Sequence, residues 1–415
     1  MKYSIIVVGD ELLIGQVIDT NSGWIARHLS PYGWAVQSVK VVSDDAEEIT
    51  KAIEQAFAQT DVVLMTGGLG PTKDDITKAT LCRYFGGELR LDEPTLRNVE
   101  EVLSKRGLQM NELNHAQAMV PSSCEVIQNK VGTAPLMWFE KEGKVLVSMP
   151  GVPFETETMM QTAVMPKLVS HFMSDVEIEY RTFVVIDYSE SVLAITLNDF
   201  ENAMPDYVHL AYLPKPGIVR LRLSGVHADK QVLSETMQRL EEQLYAVLGK
   251  NIIANEDKMP AEILGDLLRK HHMKMSTAES CTGGNVAHMI TEVAGSSEYF
   301  AGSVVSYCNE VKHNVLGVDQ QVLDTVGAVS EPTVKQMSEG VSRLMHTECA
   351  VATSGIAGPG GAEPGKPVGT VWMSAKCGDK IVTECRRFPG SRDRVIDRAT
   401  THVTLMLIKM LLSLD

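Results

Sequence analysis

The sequence predicts an α/β protein of three consecutive domains. Three observations carry that expectation. The chain has 415 residues, and at about 150 residues per domain this length suggests three. Hydrophobic residues make up 44% and charged residues 22%, an ordinary globular balance that excludes global disorder. At both ends short apolar runs alternate with amphipathic helical patterns, which is how a parallel sheet with helices on both faces is written in sequence. The boundaries fall near 1–170, 175–250 and 255–415.

The first domain opens on residues 4–8, SIIVV, followed by Gly9, Asp10 and Glu11. A continuous apolar run of this length suits a strand buried on both faces. Cap residues at 19–22 precede a helical pattern through Trp24, Ile25 and Leu29. Residues 35–42 read as a second strand ending at Ser43, Asp44 and Asp45. Ile49, Ile53 and Phe57 give residues 46–58 helical spacing, and residues 61–66, DVVLMT, are a third buried strand.

All three strand ends carry unusual residues. The third leads into GGLGPTKDDIT, which contains Gly67, Gly68, Gly70, Thr72, Asp74 and Asp75. A glycine-rich turn before a helix lets backbone N–H groups reach an anion. In such sheets ligands lie at the carboxyl ends of strands. Asp10, Glu11, Asp44, Asp74 and Asp75 are therefore candidate ligands of a divalent cation that bridges phosphate oxygens. Each acid taken singly is equally well explained as a helix cap. Their convergence at neighbouring strand ends favours a site.

The middle domain reads as a small α+β module. Residues 177–186 and 218–224 are strand-like, and 191–200 and 233–247 have helical spacing. It carries no chemical motif and is expected to be a connector or a dimerising element.

In the last domain residues 261–271 are amphipathic. A short strand at 274–277 then runs into Ala278, Glu279, Ser280, Cys281, Thr282, Gly283 and Gly284, ahead of a helix at 285–293. A strand, a sharp turn and a helix start project Ser280. The amides of Thr282, Gly283 and Gly284 are expected to face open space and to bind phosphate or an oxyanion. The strand-like run 303–307 leads to Tyr307, Asn309 and Lys312. A serine needs a base to become nucleophilic. A lysine serves if burial lowers its pKa from about 10.4 toward roughly 7–8. Ser354, Gly355 and Gly358 belong to a Gly- and Pro-rich loop that can approach a ligand closely, and Arg392 is a candidate phosphate clamp. The competing readings are Ser280 as a helix cap, Lys312 as a solvated surface residue, and Cys281 as the nucleophile.

Lys and Arg number 38 against 53 Asp and Glu, a net charge of −15, with no basic run. That argues against nucleic-acid binding, which needs clustered Lys and Arg. The seven cysteines form no C-x-x-C pair and no zinc-like cluster, as expected for buried thiols in a reducing cytosol. The N-terminus has no small-residue cleavage site, and no apolar stretch reaches spanning length. A cytoplasmic protein without membrane or nucleic-acid partners is expected.

GGLGPTKDDIT resembles the molybdopterin-binding fold of molybdenum-cofactor biosynthesis proteins. Together with GDELLIGQVIDTNS and MPGVPFE it is similar to the amino-terminal half of the competence/damage-inducible protein A (CinA) family. TAESCTGG, GSSEYFAGSVVSYCNEVK, GAVSEP, SGIAGPGG and KPVGTVW resemble the same family's carboxyl-terminal domain. Two small departures are Asp187-Tyr188, where relatives have a more Gly-rich turn, and Cys308, where they commonly have Ser. The resemblance implies a molybdopterin-binding-like α/β domain, a small α+β connector and an α/β amidohydrolase domain. It implies a pyridine-nucleotide salvage enzyme acting on small nucleotide substrates. The first domain would be a metal-dependent ADP-ribose pyrophosphatase, with Asp44 and Asp75 matching the acids essential in the cofactor-synthesis relatives. The last would be a nicotinamide mononucleotide deamidase needing no cofactor. There Ser280 is expected to attack, Lys312 to accept its proton and Tyr307 to orient or relay. A homodimer is expected. The alternatives are a first domain that binds a nucleotide or pterin without turnover, and a general Ser–Lys amidase or peptidase.

Overall fold

A computed structural model gives the architecture and describes residues 1–72, 75–172 and 177–414. The chain condenses into two compact units, Met1–Tyr180 with Ser224–Met237, and Arg181–Leu223 with Gln238–Asp415.

The first unit is built on a six-stranded sheet in the order Ala35–Val42, Lys2–Val8, Val62–Thr66, Lys144–Met149, Leu136–Lys141 and Glu125–Ile127. The first four strands are parallel. Alternate side chains of a strand point to opposite faces, and this divides the apolar run at once. Tyr3, Ile5 and Val7 enter one core with Ile25 and Leu29 of the helix Asn21–Leu29. Ile6 and Val8 enter the other with Ile49, Ile53 and Phe57 of the helix Ala46–Gln59. Asp45 starts that second helix by accepting the amides of Glu47 at 2.9 Å and Glu48 at 3.0 Å, a cap worth about 1 kcal/mol.

The expected parallel sheet gains two antiparallel strands at its edge. Leu136–Lys141 returns into Lys144–Met149 through Glu142 and Gly143, both at positive φ. Two such residues make a tight hairpin turn whose twist matches that of the strands. Glu-Gly is a weaker hairpin signal than Asn-Gly, so sequence patterning passed over it. Because the first four strands of the order are parallel, Gly9, Asp44, Gly67 and Pro150 all follow carboxyl ends at one edge of the sheet.

In the second unit a five-stranded sheet runs Phe300–Val305, Met275–Glu279, Cys349–Gly355, Thr370–Cys377 and Lys380–Arg387. The first three strands are parallel, and the last two join antiparallel. The helices Arg392–Leu412 and Pro260–Lys270 fill the core on one face. Met337 and Val341, from the helix Glu331–Met345, pack on the other. The middle segment forms a four-stranded sheet in the order Val208–Lys215, Ile218–His227, Glu177–Ile186 and Ile252–Ala254. One face of it joins the core of the larger sheet. Val184, Ile186, Ile218 and Ile253 pack into the same cluster as Leu264, Leu268 and Leu405. Of the seven free cysteines five are buried, as expected, whereas Cys308 and Cys385 are exposed. Among the described residues no helix is long and apolar enough to cross a membrane.

Candidate functional site

Two sites lie at the carboxyl ends of parallel strands, one in each unit. In the second unit, the strand Met275–Glu279 ends one residue before Ser280, whose amide donates to the Thr353 carbonyl at 3.0 Å. The short helix Asn309–Asn314 carries Lys312 back beneath that turn. Lys312 Nζ lies 3.1 Å from Ser280 Oγ and donates to the Ser306 carbonyl at 2.6 Å. The lysine side chain is only 1% exposed. Among the described residues it has no carboxylate partner, and burial lowers its pKa from the ordinary 10.5. A lysine that sheds its proton readily, in contact with a serine hydroxyl, has the geometry of a base and its nucleophile. The solvated-surface reading of Lys312 is thereby removed. Cys281 is also buried, and loss of water raises its thiol pKa to about 12. Burial thus disfavours its thiolate, which weighs against it as the rival nucleophile.

The turn's amides depart from expectation. Gly283 N donates to the Ser280 carbonyl at 3.1 Å. Gly284 N donates to Glu279 Oε2 at 3.0 Å, followed by Val286 N on the same oxygen at 3.0 Å and Ala287 N on Oε1 at 2.9 Å. The Thr282 hydroxyl is shared between Glu279 and Thr353. Gly283 and Gly284 are therefore not free to receive an oxyanion or a phosphate, because a buried carboxylate already occupies the helix start. Glu279 is the functional residue that sequence reasoning passed over. The available signal was an acid placed between an apolar strand and a Ser-Cys-Thr-Gly-Gly turn.

The other expected residues are distributed as follows. Tyr307 is exposed, and its hydroxyl accepts from Arg392 Nη2 at 2.7 Å rather than touching Lys312. Arg392 also donates from Nη1 to the Gly358 carbonyl at 2.8 Å, so it ties Tyr307 to the Gly-rich loop. Asn309 is exposed at the first turn of its helix. Ser354 is buried and gives its hydroxyl to the Ala328 carbonyl at 2.7 Å. Gly355 is pressed against Thr370 and Val371, where a Cβ would lie 2.7 Å from the Thr370 carbonyl oxygen.

In the first unit a cavity of about 630 Å³ opens at the sheet edge, lined by Glu11, Asp44, Asp75 and the loop Gly67 to Thr72. That volume suits a nucleotide-sized ligand. The loop packs tightly: a Cβ at Gly67 would lie 2.1 Å from the Val8 carbonyl oxygen, and Gly67 has φ of 102°. Its amides are partly used internally. Gly67 N donates to the Met149 carbonyl at 3.1 Å. Asp75 accepts the Gly70 amide at 2.7 Å, the Thr72 amide at 2.8 Å and the Thr72 hydroxyl at 2.6 Å. Asp75 is thus a clasp that shapes the loop. A Cβ at Gly68 would strike the Thr77 hydroxyl at 2.1 Å.

Asp10 and Asp44 cross-link their strand ends, each accepting the other's amide, at 3.1 Å and 3.3 Å. Partial burial, followed by the negative charges of Asp10, Glu11 and Asp75, raises the pKa of Asp44. Asp74 lies outside the described residues. Among the described residues no three Asp, Glu, His or Cys side chains converge as a closed metal cage. The donor set instead fits a magnesium-like ion, which uses one or two carboxylates and takes its other ligands from substrate and water. Three buried polar atoms at the wall lack partners among the described residues: Asn21 Oδ1, Thr66 Oγ1 and Gln117 Oε1.

The comparisons with known proteins follow this division. Residues 4–170 match a probable molybdopterin binding domain. Residues 180–254 match the damage-inducible protein CinA KH domain, and residues 257–411 the CinA C-terminal domain. A CinA-like protein of Flavobacterium psychrophilum is 41% identical over 99% of both chains. The chain belongs to the CinA family. A putative competence-damage inducible protein of Caldicellulosiruptor saccharolyticus is 35% identical over 100% of both chains. Among solved structures, CinA from Thermoplasma acidophilum is 36% identical and covers 40% of this chain and 97% of its own, with a TM-score of 0.37. The match to the first two relatives runs the whole length of this CinA-family chain.

Proposed function

We propose that this protein is a two-activity hydrolase of pyridine-nucleotide salvage. Its carboxyl-terminal site would convert nicotinamide mononucleotide to nicotinic acid mononucleotide and ammonia. The observation that carries this reading is the buried Lys312 amine 3.1 Å from Ser280 Oγ. Ser280 Oγ attacks the carboxamide carbon as its proton passes to Lys312 Nζ. The tetrahedral intermediate collapses, Lys312 returns the proton to the leaving nitrogen, and ammonia departs. Water then attacks the acyl-serine with the same lysine as base, releasing the acid and restoring Ser280. The Ser306 carbonyl holds the amine in place throughout. Arg392 holds the Tyr307 hydroxyl, and its remaining N–H donors would serve the substrate phosphate.

The amino-terminal cavity would cleave ADP-ribose to AMP and ribose 5-phosphate. Its size, its acids and its unpartnered polar atoms support a ligand that is both anionic and rich in hydrogen-bonding groups. Asp44 and Glu11, which line the cavity, would hold a divalent cation, with Asp10 behind them. When bound, that ion supplies charge neutralisation at the pyrophosphate and a more acidic water. Asp75 contributes by fixing the loop against which the phosphates lie. A pterin or nucleotide held without turnover is the alternative for this cavity.

The deciding experiment assays the full chain on both nucleotides with and without chelator. Pyrophosphatase turnover is expected to vanish in chelator while deamidation persists. Absence of ammonia release from nicotinamide mononucleotide, with release from free nicotinamide or from peptides, would replace the salvage reading with a general amidase. Tight binding of ADP-ribose without AMP formation would establish the binding-protein alternative.

A further inference from the structure

Glu279 is completely buried, yet none of its hydrogen-bond partners is a lysine or arginine. A buried carboxylate persists only where its oxygens are saturated with donors. Here Oε2 takes the amides of Gly284 and Val286 and the Thr282 hydroxyl at 2.7 Å. Oε1 takes the Ala287 amide and one proton from the Thr277–Ser303 hydroxyl pair, whose oxygens are 2.7 Å apart and lie 3.3 Å and 3.5 Å from it. The donors come from both sides of Ser280 and from the neighbouring strand. The main chain of the same residue reaches the other half of the pair. The Glu279 carbonyl accepts the Ser306 amide at 2.8 Å, and the Ser306 carbonyl in turn holds Lys312 Nζ at 2.6 Å.

We propose that Glu279 is the positioning residue of the Ser280–Lys312 pair, its carboxylate gathering the turn that presents the serine and its carbonyl setting the segment that anchors the lysine. This rests on the deamidase reading for its substrate, but the geometry concerns the nucleophile itself. A helix cap alone would be satisfied by one or two amides. Glu279 instead ties together three backbone amides and two hydroxyl protons around one reactive side chain. Its charge also explains why the helix start is closed to substrate phosphate.

The test is Glu279→Gln, which keeps the shape but puts an NH2 group among converging donors. A displacement of about 1 Å at a reacting atom costs on the order of 100-fold in rate. The variant is expected to lose about that factor in kcat on nicotinamide mononucleotide, with KM within about threefold. Labelling of Ser280 by a fluorophosphonate should slow in parallel. A folded variant with unchanged kcat and unchanged labelling, even with a lowered melting temperature, would reduce Glu279 to a structural cap and overturn the proposal. Should Glu279→Gln fail to fold, Thr282→Val removes one donor and leaves the carboxylate; unchanged labelling there overturns the proposal equally. Wild-type protein that is labelled at Ser280 without deamidating the nucleotide, beside an unlabelled Glu279→Gln, would sink the substrate assignment and leave the positioning role standing.

Discussion

The two sites manage charge in opposite ways. In the amino-terminal cavity several carboxylates gather at a sheet edge, and Asp44 resists ionisation first because it is partly buried and then because of its acidic neighbours. In the carboxyl-terminal site one carboxylate is sealed inside and fully saturated, while one lysine is stripped of water and, among the described residues, of any ionic partner. The first arrangement waits for positive charge to arrive from outside. The second has already spent its electrostatics on shaping a nucleophile. The same strand-end location thus supports a site completed by its ligand and a site complete in itself.

The sharpest way to break this contrast is to remove the base or the nucleophile. Ser280→Ala and Lys312→Met are each expected to lower deamidase kcat by at least about 1,000-fold, read as ammonia release, while leaving ADP-ribose cleavage untouched. In the wild type, kcat/KM should rise with pH through the lowered Lys312 pKa. Burial favours the neutral amine, so the activity belongs to the high-pH side and appears below the ordinary 10.5. A rate that falls as pH climbs through that range would refute lysine as base.

A smaller effect is expected from Asp44→Asn. Pyrophosphatase turnover should fall about 100-fold, and the protein should melt higher at neutral pH. The sign follows from linkage: a carboxyl whose folded pKa is raised destabilises the fold while it is ionised. The gain should therefore be present above the raised folded pKa of Asp44 and fade as pH falls toward the ordinary 3.8. A lowered melting temperature at pH 7 would contradict the charge crowding. The smallest effect is reserved for Cys281→Ala, whose deamidase rate should stay within about threefold of wild type. Loss of activity there would return the nucleophile to the thiol.

Much of this was legible in the sequence. Continuous apolar runs such as Ser4 to Val8 mark parallel strands because both faces are buried, and helical spacing marks their covers. Ser280 and Lys312 are found by residue type and by their position after strands. What local patterning missed is what depends on distant partners. Glu279 reads as an ordinary strand-end acid until the amides of Gly284, Val286 and Ala287 close on it. Asp75 reads as a metal ligand, and its part in shaping the loop shows only when Gly70 and Thr72 donate to its oxygens. The hydroxyl of Tyr307 was expected near the lysine, but Arg392, 85 residues further along, holds it. Each miss concerns a side chain whose role is set by what donates to it, and donors from a turn or a far helix leave no periodicity.

The shared core of the second unit also sets a timetable for synthesis. The sheet of the first unit has its last strand by Met149, so its helices can settle early on an emerging chain. One face of the strand Glu177–Ile186 has no such option. Val184 and Ile186 belong with Val403, Leu407 and Leu411 of the terminal helix Arg392–Leu412. At about 5–20 residues per second on the ribosome, their apolar faces stay uncovered for tens of seconds, until the final helix is released. The vulnerable interval in the life of this protein is the second half of its translation, and chaperone contact is best sought there.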